Sequence, residues 1–321
     1  MRVLIAGASG MIGRALRARL EGRGDDVRVL VRRPPRDQTE YGWEARVGSV
    51  PPEAITWADA VVSLSGAPIA RLPWTRRYRR EIMTSRVDST SALAQAILDA
   101  DRPPRVWVAA SATGWYGDQQ LGAGMGAGPD GGSEVGRLSP GADPPLTESS
   151  PSGSGFLAAV VRAWEAAALP AAGVSRLVRA RTGIVLGPDG GTLQPLIWTT
   201  KAGLGVRFGS GRQYWPWISL RDEVRAWEFC LDSDSVAGAV NLVGPIPATA
   251  GEIADGLARQ LHRPRWLAVP APVLRLALGD AAEDLILASQ PVKPAVLEEH
   301  GFGFLDRTAE AAIRTALKPS A

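Results

Sequence analysis

Short apolar runs bounded by turn residues alternate with longer helical patterns through the first two thirds of the chain. This alternation is typical of repeated βαβ units around a parallel sheet, with helices on both of its faces. Strands are predicted at residues 2–7, 27–32, 59–64, 105–111 and 175–182. Helices are predicted at residues 11–22, 85–100 and 156–171. The pattern therefore predicts an α/β fold built on a doubly wound parallel sheet.

The pattern changes at about residue 188, where segments rich in Gly, Pro and Trp begin. We expect residues 1–187 to form the domain around the sheet and residues 188–321 to form a smaller C-terminal α/β lobe. A helix and a strand within about 221–243 are expected to pack with the first domain. Residues 119–146 are rich in Gly and Pro and poor in apolar side chains, so a mobile insertion is expected there.

A glycine-rich turn follows the first predicted strand and opens the first predicted helix. Its sequence is Gly7-Ala8-Ser9-Gly10-Met11-Ile12-Gly13. Gly7 permits the tight turn, Gly10 lets the backbone approach a pyrophosphate, and Gly13 allows the helix to pack closely on the strand. The helix N-terminus supplies N–H donors and the positive end of the helix dipole. We therefore expect a Rossmann-type dinucleotide site, with a tight turn that binds no ligand as the alternative.

The second predicted strand ends in Arg32-Arg33. A site that prefers NAD usually carries an Asp or Glu there, which binds the ribose hydroxyls, whereas an arginine pairs with the 2′-phosphate of NADP. The sequence thus favours NADP as the cofactor of the first domain. The alternative is that both arginines are solvated residues at the edge of the sheet.

Composition narrows the classes of partner and compartment. The formal net charge is +3 and the basic residues are scattered, so no nucleic-acid or anionic-membrane surface is expected. The apolar run at the N-terminus lacks the length of a membrane span and the cleavage pattern of a signal peptide. Cys230 is the one cysteine and His262 and His300 are the two histidines, so neither a disulfide nor a zinc site is expected. We expect a cytoplasmic monomer or homodimer that binds a small-molecule substrate, with Cys230 in the core.

Three further segments follow the glycine turn in order. They are Ser63-Leu64-Ser65-Gly66-Ala67-Pro68, Ser111-Ala112-Thr113-Gly114-Trp115-Tyr116-Gly117 and Arg181-Thr182-Gly183-Ile184-Val185-Leu186-Gly187-Pro188. With them the chain resembles the extended short-chain dehydrogenase/reductase superfamily, and within it the epimerase family protein branch, often labelled nucleoside-diphosphate-sugar epimerase. Further patterns of that branch are Trp74-Thr75, Ser85-Arg86-Val87, Gly209 to Gln213, Val269-Pro270 and Gly301-Phe302. The resemblance covers nearly the whole chain, including a C-terminal domain of unassigned role.

The resemblance implies a cofactor that lies across the carboxyl ends of the strands. The residues that it places on the cofactor are Gly7, Ser9, Gly10, Met11, Ile12, Arg32, Leu64, Ser65, Gly66, Glu81 and Arg86. Two positions depart from the branch, because Asp88 stands where Asn is common and Ser219 stands where His is common. Neither departure changes the expected fold.

The usual chemistry of the superfamily uses a Tyr with a Lys four residues later on one helix, where the cation lowers the pKa of the phenol. The tyrosines and the residues four positions later are Tyr41 and Ala45, Tyr78 and Ile82, Tyr116 and Gln120, and Tyr214 and Ile218. The chain therefore has no such dyad. When Glu165 is aligned with the acidic position that follows the dyad in the family, Leu157 and Val161 take its two places, and an apolar pair cannot carry a proton.

Other residues are candidates for catalysis. Ser111 lies where the superfamily places its substrate-orienting hydroxyl, and Tyr116 follows in the next turn. Thr113 is an alternative, because the spacing from Ser to Tyr is one residue longer than in ordinary sugar epimerases. The competing interpretation is that the two hydroxyls satisfy backbone groups and that Tyr116 packs under the loop. Arg162 is a candidate to replace the lysine near the cofactor ribose, with a solvated helix arginine as the alternative.

Two hypotheses about function follow. The first is an NADP-dependent oxidoreductase or epimerase that acts on a small polar or nucleotide-linked substrate, with Ser111 orienting it and Tyr116 or a water transferring the proton. The missing dyad motivates the second, in which the protein binds NADP(H) without turnover and has a regulatory or scaffold role. A hydrolase is not expected, because the chain lacks a Gly-x-Ser-x-Gly segment and a suitably placed histidine.

Overall fold

A computed structural model describes residues 1–119, 145–188 and 193–317, so the expected mobile insertion lies, apart from its ends, outside the described residues. The described strands are β1 Arg2–Ala6, β2 Asp26–Val31, β3 Glu40–Gly42, β4 Ala60–Ser63, β5 Val106–Ala112, β6 Arg176–Thr182, β7 Ile184–Leu186, β8 Val206–Phe208, β9 Tyr214–Trp215, β10 Trp217–Ser219, β11 Gly238–Leu242, β12 Ala248–Thr249 and β13 Leu267–Val269. Seven of them form a parallel sheet in the order β11-β6-β5-β4-β1-β2-β3. The predicted doubly wound parallel sheet is confirmed.

The described helices are α1 Met11–Gly22, α2 Pro52–Trp57, α3 Arg76–Leu98, α4 Phe156–Ala168, α5 Leu193–Lys201, α6 Leu220–Asp232, α7 Ala250–Gln260, α8 Ala271–Leu278, α9 Asp280–Ala282, α10 Ala295–Glu299 and α11 Ala309–Ala316. A single π-helical turn, Glu283–Leu287, follows α9. Helix α1 packs against α6, α4 packs against α3, and α7 packs against α11 in the C-terminal part. The division of the chain near residue 187 stays a prediction.

The order of the strands fixes where a ligand can bind. The chain builds β1, β2 and β3 in one direction and then returns to add β4, β5, β6 and β11 on the other side of β1. Neighbouring connections thus diverge between β1 and β4, and in open parallel sheets the crevice at such a switch point is where ligands bind. The glycine turn that follows β1 lies at this point.

Side chains along the central strands point alternately to the two faces of the sheet, and this divides the core into two layers. On β1, Val3 and Ile5 join the layer under α1 and α6, whereas Leu4 and Ala6 join the layer under α2 and α3. Both faces of the strand are therefore buried, which explains why its sequence is continuously apolar rather than alternating. Cys230 is fully buried in the first layer and burial raises the pKa of its thiol to about 12, so its predicted place in the core is confirmed.

Helix α3 begins nine residues before the predicted start at residue 85. Thr75 is its N-cap, and the Thr75 hydroxyl accepts a hydrogen bond of 3.1 Å from the backbone N–H of Tyr78. A run of arginines in the first turns hid the apolar spacing of Tyr78 and Ile82, which are both buried. Strand β3 and helix α2 were not predicted, because three and six residues are too short to show a period.

Helix α4 and the turn after it, Phe156–Gly173, are long and apolar enough to cross a membrane by length and composition, with a mean hydropathy of 1.2. In the structure this helix packs on α3 and on the sheet. It also carries Glu165, which is buried and forms ion pairs with Arg181 and Arg179. These contacts are those of a core helix.

Glu223 on α6 is a fully buried carboxyl group. Its hydrogen-bond donors among the described residues are neutral, namely the hydroxyl of Thr182 and the indole N–H of Trp227, each 2.8 Å from Oε1. Its other oxygen has no hydrogen-bond partner among the described residues. Burial without a cation disfavours the carboxylate and raises the pKa of Glu223 to about 7.

We expect Glu223→Gln to remove a pH-dependent loss of stability. Because the native pKa lies above the unfolded one, the native state retains a proton that the unfolded state releases, so the wild-type free energy of unfolding falls between about pH 4.5 and pH 7. The rise in pKa corresponds to at most about 3 kcal/mol. Urea denaturation at pH 5 and pH 8 should show the variant gaining stability relative to wild type only at pH 8. The exposed Glu299→Gln is the control, and equal shifts in both variants would contradict this account.

Candidate functional site

The glycine turn is shaped by two close backbone contacts. Gly7 has a φ of 90°, and a Cβ there would lie 2.7 Å from the carbonyl carbon of Leu64. A Cβ on Gly13 would lie 2.4 Å from the carbonyl oxygen of Gly7. Side chains are thus excluded at both positions by the fold itself, because the turn touches the end of β4 and the first turn of α1.

Gly10 differs, because the nearest atom to a Cβ there is 3.6 Å away. Gly10 is the N-cap of α1 and supplies no side-chain cap, and the first turn of the helix has no acidic residue. The amides of Met11 and Ile12 therefore keep the unpaired N–H groups of a helix start. Ser9 and Gly10 are exposed, so the turn presents open backbone donors that suit an anion.

The segment after β4 adds a cation to the same edge of the sheet. Gly66 lies against the Arg86 side chain, since a Cβ on Gly66 would be 3.1 Å from the guanidinium carbon. Arg86 donates one hydrogen bond of 3.0 Å to the carbonyl of Ile82 and lies over the ring of Trp164. No carboxylate pairs with it in the described ranges, and burial lowers the pKa of its guanidinium to about 10. A half-buried cation of this kind gains stability from an anionic ligand.

The two arginines after β2 have different roles. Arg33 forms an ion pair with Glu40, in which its Nη1 donates 2.6 Å to Oε2, and the backbone N–H of Arg36 donates to the same oxygen. These contacts lower the pKa of the Glu40 carboxyl to about 2. Arg32 is exposed, and none of the described carboxylates pairs with it. Arg32 is thus the one of the two that is free to bind a phosphate.

Beyond β5, Ser111 belongs to a buried polar network. Its hydroxyl donates a hydrogen bond of 2.6 Å to Oε1 of Glu165, and it is 3% exposed. Arg181 donates to both oxygens of Glu165 at 2.7 and 3.0 Å, and Arg179 donates to Oε2 at 2.9 Å. Because the Ser111 hydroxyl uses its hydrogen in the bond to the carboxylate, its oxygen can still accept a hydrogen bond from a ligand.

Tyr116 and Thr113 have opposite environments. Tyr116 is fully buried, its phenol donates to Asn241 at 2.7 Å and accepts from Arg181 at 3.2 Å, and burial raises its pKa. These contacts support the packing interpretation rather than proton transfer. The Thr113 hydroxyl makes no hydrogen bond with another described residue, although the residue is only 5% exposed. Of the three candidates, Thr113 has the uncommitted hydroxyl.

The helix that would carry the Tyr and Lys dyad has apolar side chains at both positions, and they are packed. Leu157 and Val161 pack on the turn at Gly114, since a Cβ there would lie 3.3 Å from Leu157 Cβ and 3.5 Å from Val161 Cγ2. Arg162 is exposed and donates a hydrogen bond of 2.7 Å to the carbonyl of Gly153. This matches the alternative given from the sequence, a solvated helix arginine, rather than a cation that replaces the lysine. Glu81 on α3 is half-buried, and no ion pair to it is found in the described part of the chain.

Sequence reasoning missed the network around Glu165. A signal was present, because Arg179 and Arg181 lie within a strand of the central sheet and Glu165 lies within a mostly apolar helix. Buried charges need partners, so these positions predict one another once the strand and the helix are known to be adjacent. The network continues through Arg181 to Tyr116 and Asn241, whose side-chain amide donates 2.9 Å to the carbonyl of Lys293.

Comparisons with known proteins agree with this geometry. A family model described as the NAD dependent epimerase/dehydratase family matches residues 3–126, and a domain of unknown function, DUF1731, matches residues 269–316. An epimerase family protein of Mycobacterium bovis is 38% identical over 312 residues, which are 97% of this chain and 96% of that protein. The crystal structure of the human epimerase family protein SDR39U1 with NADPH superposes with a TM-score of 0.83 at 28% identity, covering 98% of this chain and 99% of that one. A nucleoside-diphosphate sugar epimerase of Corynebacterium glutamicum gives a TM-score of 0.75 at 29% identity, covering 99% of this chain and 58% of that chain.

Substitution of two glycines by alanine should separate folding from ligand binding. Gly13→Ala forces a clash with Gly7 and should cost about 1–3 kcal/mol of stability. Gly10→Ala should lower the melting temperature less, because its Cβ would make only an ordinary contact 3.6 Å from the carbonyl oxygen of Gly7, yet weaken NADPH binding at least about tenfold by covering the exposed backbone. Thermal denaturation and a fluorescence titration with NADPH measure the two effects. Unchanged NADPH affinity in Gly10→Ala would show that the turn does not hold the cofactor.

Proposed function

The chain belongs to the epimerase family proteins, within the NAD-dependent epimerase/dehydratase family, and we propose that it binds NADP at the switch point of its sheet. The observation that carries this proposal is the group of unpaired donors and cations at one edge: the open turn at Gly10 and the arginines Arg86 and Arg32. Gly7, Ser9, Met11, Ile12 and Gly13 form the rest of the turn, and Leu64, Ser65 and Gly66 form the facing wall. The structure of the human relative with NADPH supports the choice of ligand.

The preference for NADP over NAD rests on Arg32. Glu40 pairs with Arg33 and receives the N–H of Arg36, so its carboxylate is not free to bind ribose hydroxyls. An unpaired arginine directly after β2 suits the 2′-phosphate instead. Glu81 and Arg86 are proposed to lie at the other end of the cofactor, near the reactive ring.

We further propose that the protein is an oxidoreductase or epimerase for a small polar or nucleotide-linked substrate. A nicotinamide cofactor held by these residues would supply or accept the hydride. Ser111 orients the substrate, because its hydroxyl donates to Glu165 and its oxygen keeps a free lone pair. The uncommitted hydroxyl of Thr113 holds the water that exchanges the proton, in place of the phenol of Tyr116, which is buried and hydrogen-bonded elsewhere. The name of the C. glutamicum relative supports a nucleotide-linked substrate.

A second candidate function is supported by the apolar pair Leu157 and Val161, which packs where the dyad would be. In this alternative the protein binds NADP(H) without turnover and has a regulatory or scaffold role. A cytoplasmic location and a monomeric or homodimeric state are part of both proposals.

We expect Arg32→Ala to weaken NADPH binding by roughly ten- to one-hundredfold, because it removes charge-assisted hydrogen bonds to the 2′-phosphate, and to leave NADH binding unchanged. Fluorescence titrations of both cofactors measure the change in preference. Arg46→Ala, which removes an exposed arginine elsewhere, is the control. Equal affinity of the wild type for NADPH and NADH, or a preference that survives Arg32→Ala, would contradict the assignment.

A panel of carbonyl compounds and nucleotide sugars, assayed with saturating NADPH or NADP, separates the two candidate functions. If the first is right, Ser111→Ala and Thr113→Val should each lower kcat by more than about tenfold, with the NADPH dissociation constant unchanged. Tyr116→Phe should lower the melting temperature and leave kcat nearly unchanged. Tight NADPH binding with no turnover across the panel would favour the second function.

A further inference from the structure

A stretch of the C-terminal part of the chain carries positive charge without acidic residues to balance it. Residues 256–279 include Arg259, His262, Arg263, Arg265 and Arg275, and neither Asp nor Glu occurs among them. The net charge of the whole chain is +3, so this local imbalance does not show in the composition. A run of cations without acids attracts an anionic partner that is large enough to meet several of them.

Four of these cations line one open hollow on the surface, next to the C-terminal end of α7. The hollow has a volume of about 550 Å³, and its lining includes Arg259, His262, Arg263 and Arg265, with Asp255 as the acidic member. Asp255 pairs with Arg265 at 2.7 Å, but Nη1 of Arg265 is buried and has no hydrogen-bond partner among the described residues. Arg263 is exposed, and none of the described carboxylates pairs with it. The hollow therefore keeps donors that suit a further anion.

Large apolar side chains follow this hollow directly along the chain. Trp266 is 78% exposed, and Leu267, the first residue of β13, is exposed as well. Strand β13 pairs with β8, and the N–H of Leu267 donates a hydrogen bond of 3.2 Å to the carbonyl of Gly205, which follows the exposed Leu204. Exposed apolar side chains that gather at one place mark a surface that meets another molecule or a membrane.

Helix α8 continues the apolar run after β13. Its sequence is Ala-Pro-Val-Leu-Arg-Leu-Ala-Leu, yet Leu274 is its single buried residue. Leu276 is 91% exposed, and Val273, three residues earlier on the same face, is also exposed. The helix begins beside the end of β8, since a Cβ on Gly209 would lie 4.0 Å from Cβ of Ala271. A helix that is apolar on nearly all sides is normally buried, and the described chain does not bury this one.

We propose that this part of the chain docks on a bilayer that contains anionic phospholipids. The residues that form the docking surface are Leu204, Arg263, Trp266, Leu267 and Leu276. The guanidinium group of Arg263 pairs with lipid phosphates, and the apolar side chains enter the boundary between the headgroups and the acyl chains. Helix α8 has eight residues, which is too short to cross a bilayer, so the binding is peripheral and reversible. The proposal does not depend on the cofactor or on the reaction.

A bilayer fits the docking surface better than a second copy of the chain does. An anionic bilayer offers negative charge and an apolar layer side by side, and these are the partners that the exposed cations and the exposed apolar side chains need. A twofold contact between two copies through the docking surface would bring the cations around the hollow of one copy close to those of the other, where like charges repel.

The test is sedimentation of the full chain with vesicles of phosphatidylcholine alone or of phosphatidylcholine with about 30% phosphatidylserine. The wild type should bind the anionic vesicles at least about tenfold more tightly, and high salt should remove this difference. Trp266→Ser with Leu276→Ser should weaken the binding at least about tenfold, because both apolar anchors are lost. The matched control, Val47→Ser with Leu169→Ser, removes two apolar side chains that are exposed elsewhere and should change the binding less than about twofold.

A second variant tests the charge separately. Arg263→Ser should weaken binding to the anionic vesicles about fivefold, which is the contribution of one cation near a charged bilayer, and should leave binding to phosphatidylcholine unchanged. Arg46→Ser, at an exposed arginine far along the chain, is its control. All the substituted side chains are exposed, so every variant should keep the wild-type melting temperature and NADPH affinity.

Several results would overturn the proposal. They are no sedimentation of the wild type with anionic vesicles, equal weakening in the docking-surface and control variants, and vesicle binding that survives Trp266→Ser with Leu276→Ser. A wild-type dimer in light scattering that this double variant converts to a monomer, without any vesicle binding, would assign the docking surface to a second copy of the chain instead.

Discussion

The arrangement around the site depends on the hydrogen bonds and ion pairs of the Glu165 carboxylate. It joins α4 to two strands, because it accepts from Ser111 on β5 and from Arg181 and Arg179 on β6. All its partners but Arg179 are nearly excluded from solvent. Removing one member of such a buried pair leaves an uncompensated charge, at a cost of about 3–5 kcal/mol. The network therefore fixes the position of α4 against the sheet with no contribution from a Tyr and Lys dyad.

The same network extends to the C-terminal part of the chain. Arg181 donates to Tyr116, Tyr116 donates to Asn241 on β11, and Asn241 holds the backbone at Lys293. A segment from the last thirty residues is thus tied to the floor of the cleft by hydrogen bonds whose donors and acceptors are buried. This is why Tyr116, which has the position of a catalytic candidate in the sequence, is bound into the framework instead. Its phenol has three partners, the Asn241 side chain, the carbonyl of Thr147 and Arg181, and none of the exposure that proton exchange requires.

Helical spacing predicted α1, apolar runs bounded by turn residues predicted β1 and β5, and the glycine spacing predicted the turn. It misplaced the start of α3, because the arginines there break the apolar pattern while Tyr78 and Ile82 still face the core. Among the site residues, too, those marked by a local pattern could be predicted and those that depend on distant partners could not. The turn could be predicted, since the glycine spacing is visible within residues 7–13, where a Cβ on Gly13 would meet Gly7. The state of Ser111 and Tyr116 depends on Glu165 and Asn241, which are 54 and 125 positions away, and no local pattern reveals those pairings.

Pairing, rather than residue type, separates structural arginines from arginines available to a ligand. Arg33 and Arg32 are adjacent, but Glu40 neutralises the first and leaves the second exposed. Arg79 is likewise paired with Asp280. Arg86 has no carboxylate partner in the described residues despite its burial. An unpaired charge costs little when solvated and much when buried, so Arg86 is the strongest sign of an anionic ligand. Arg32 gains that meaning from its position at the same edge of the sheet.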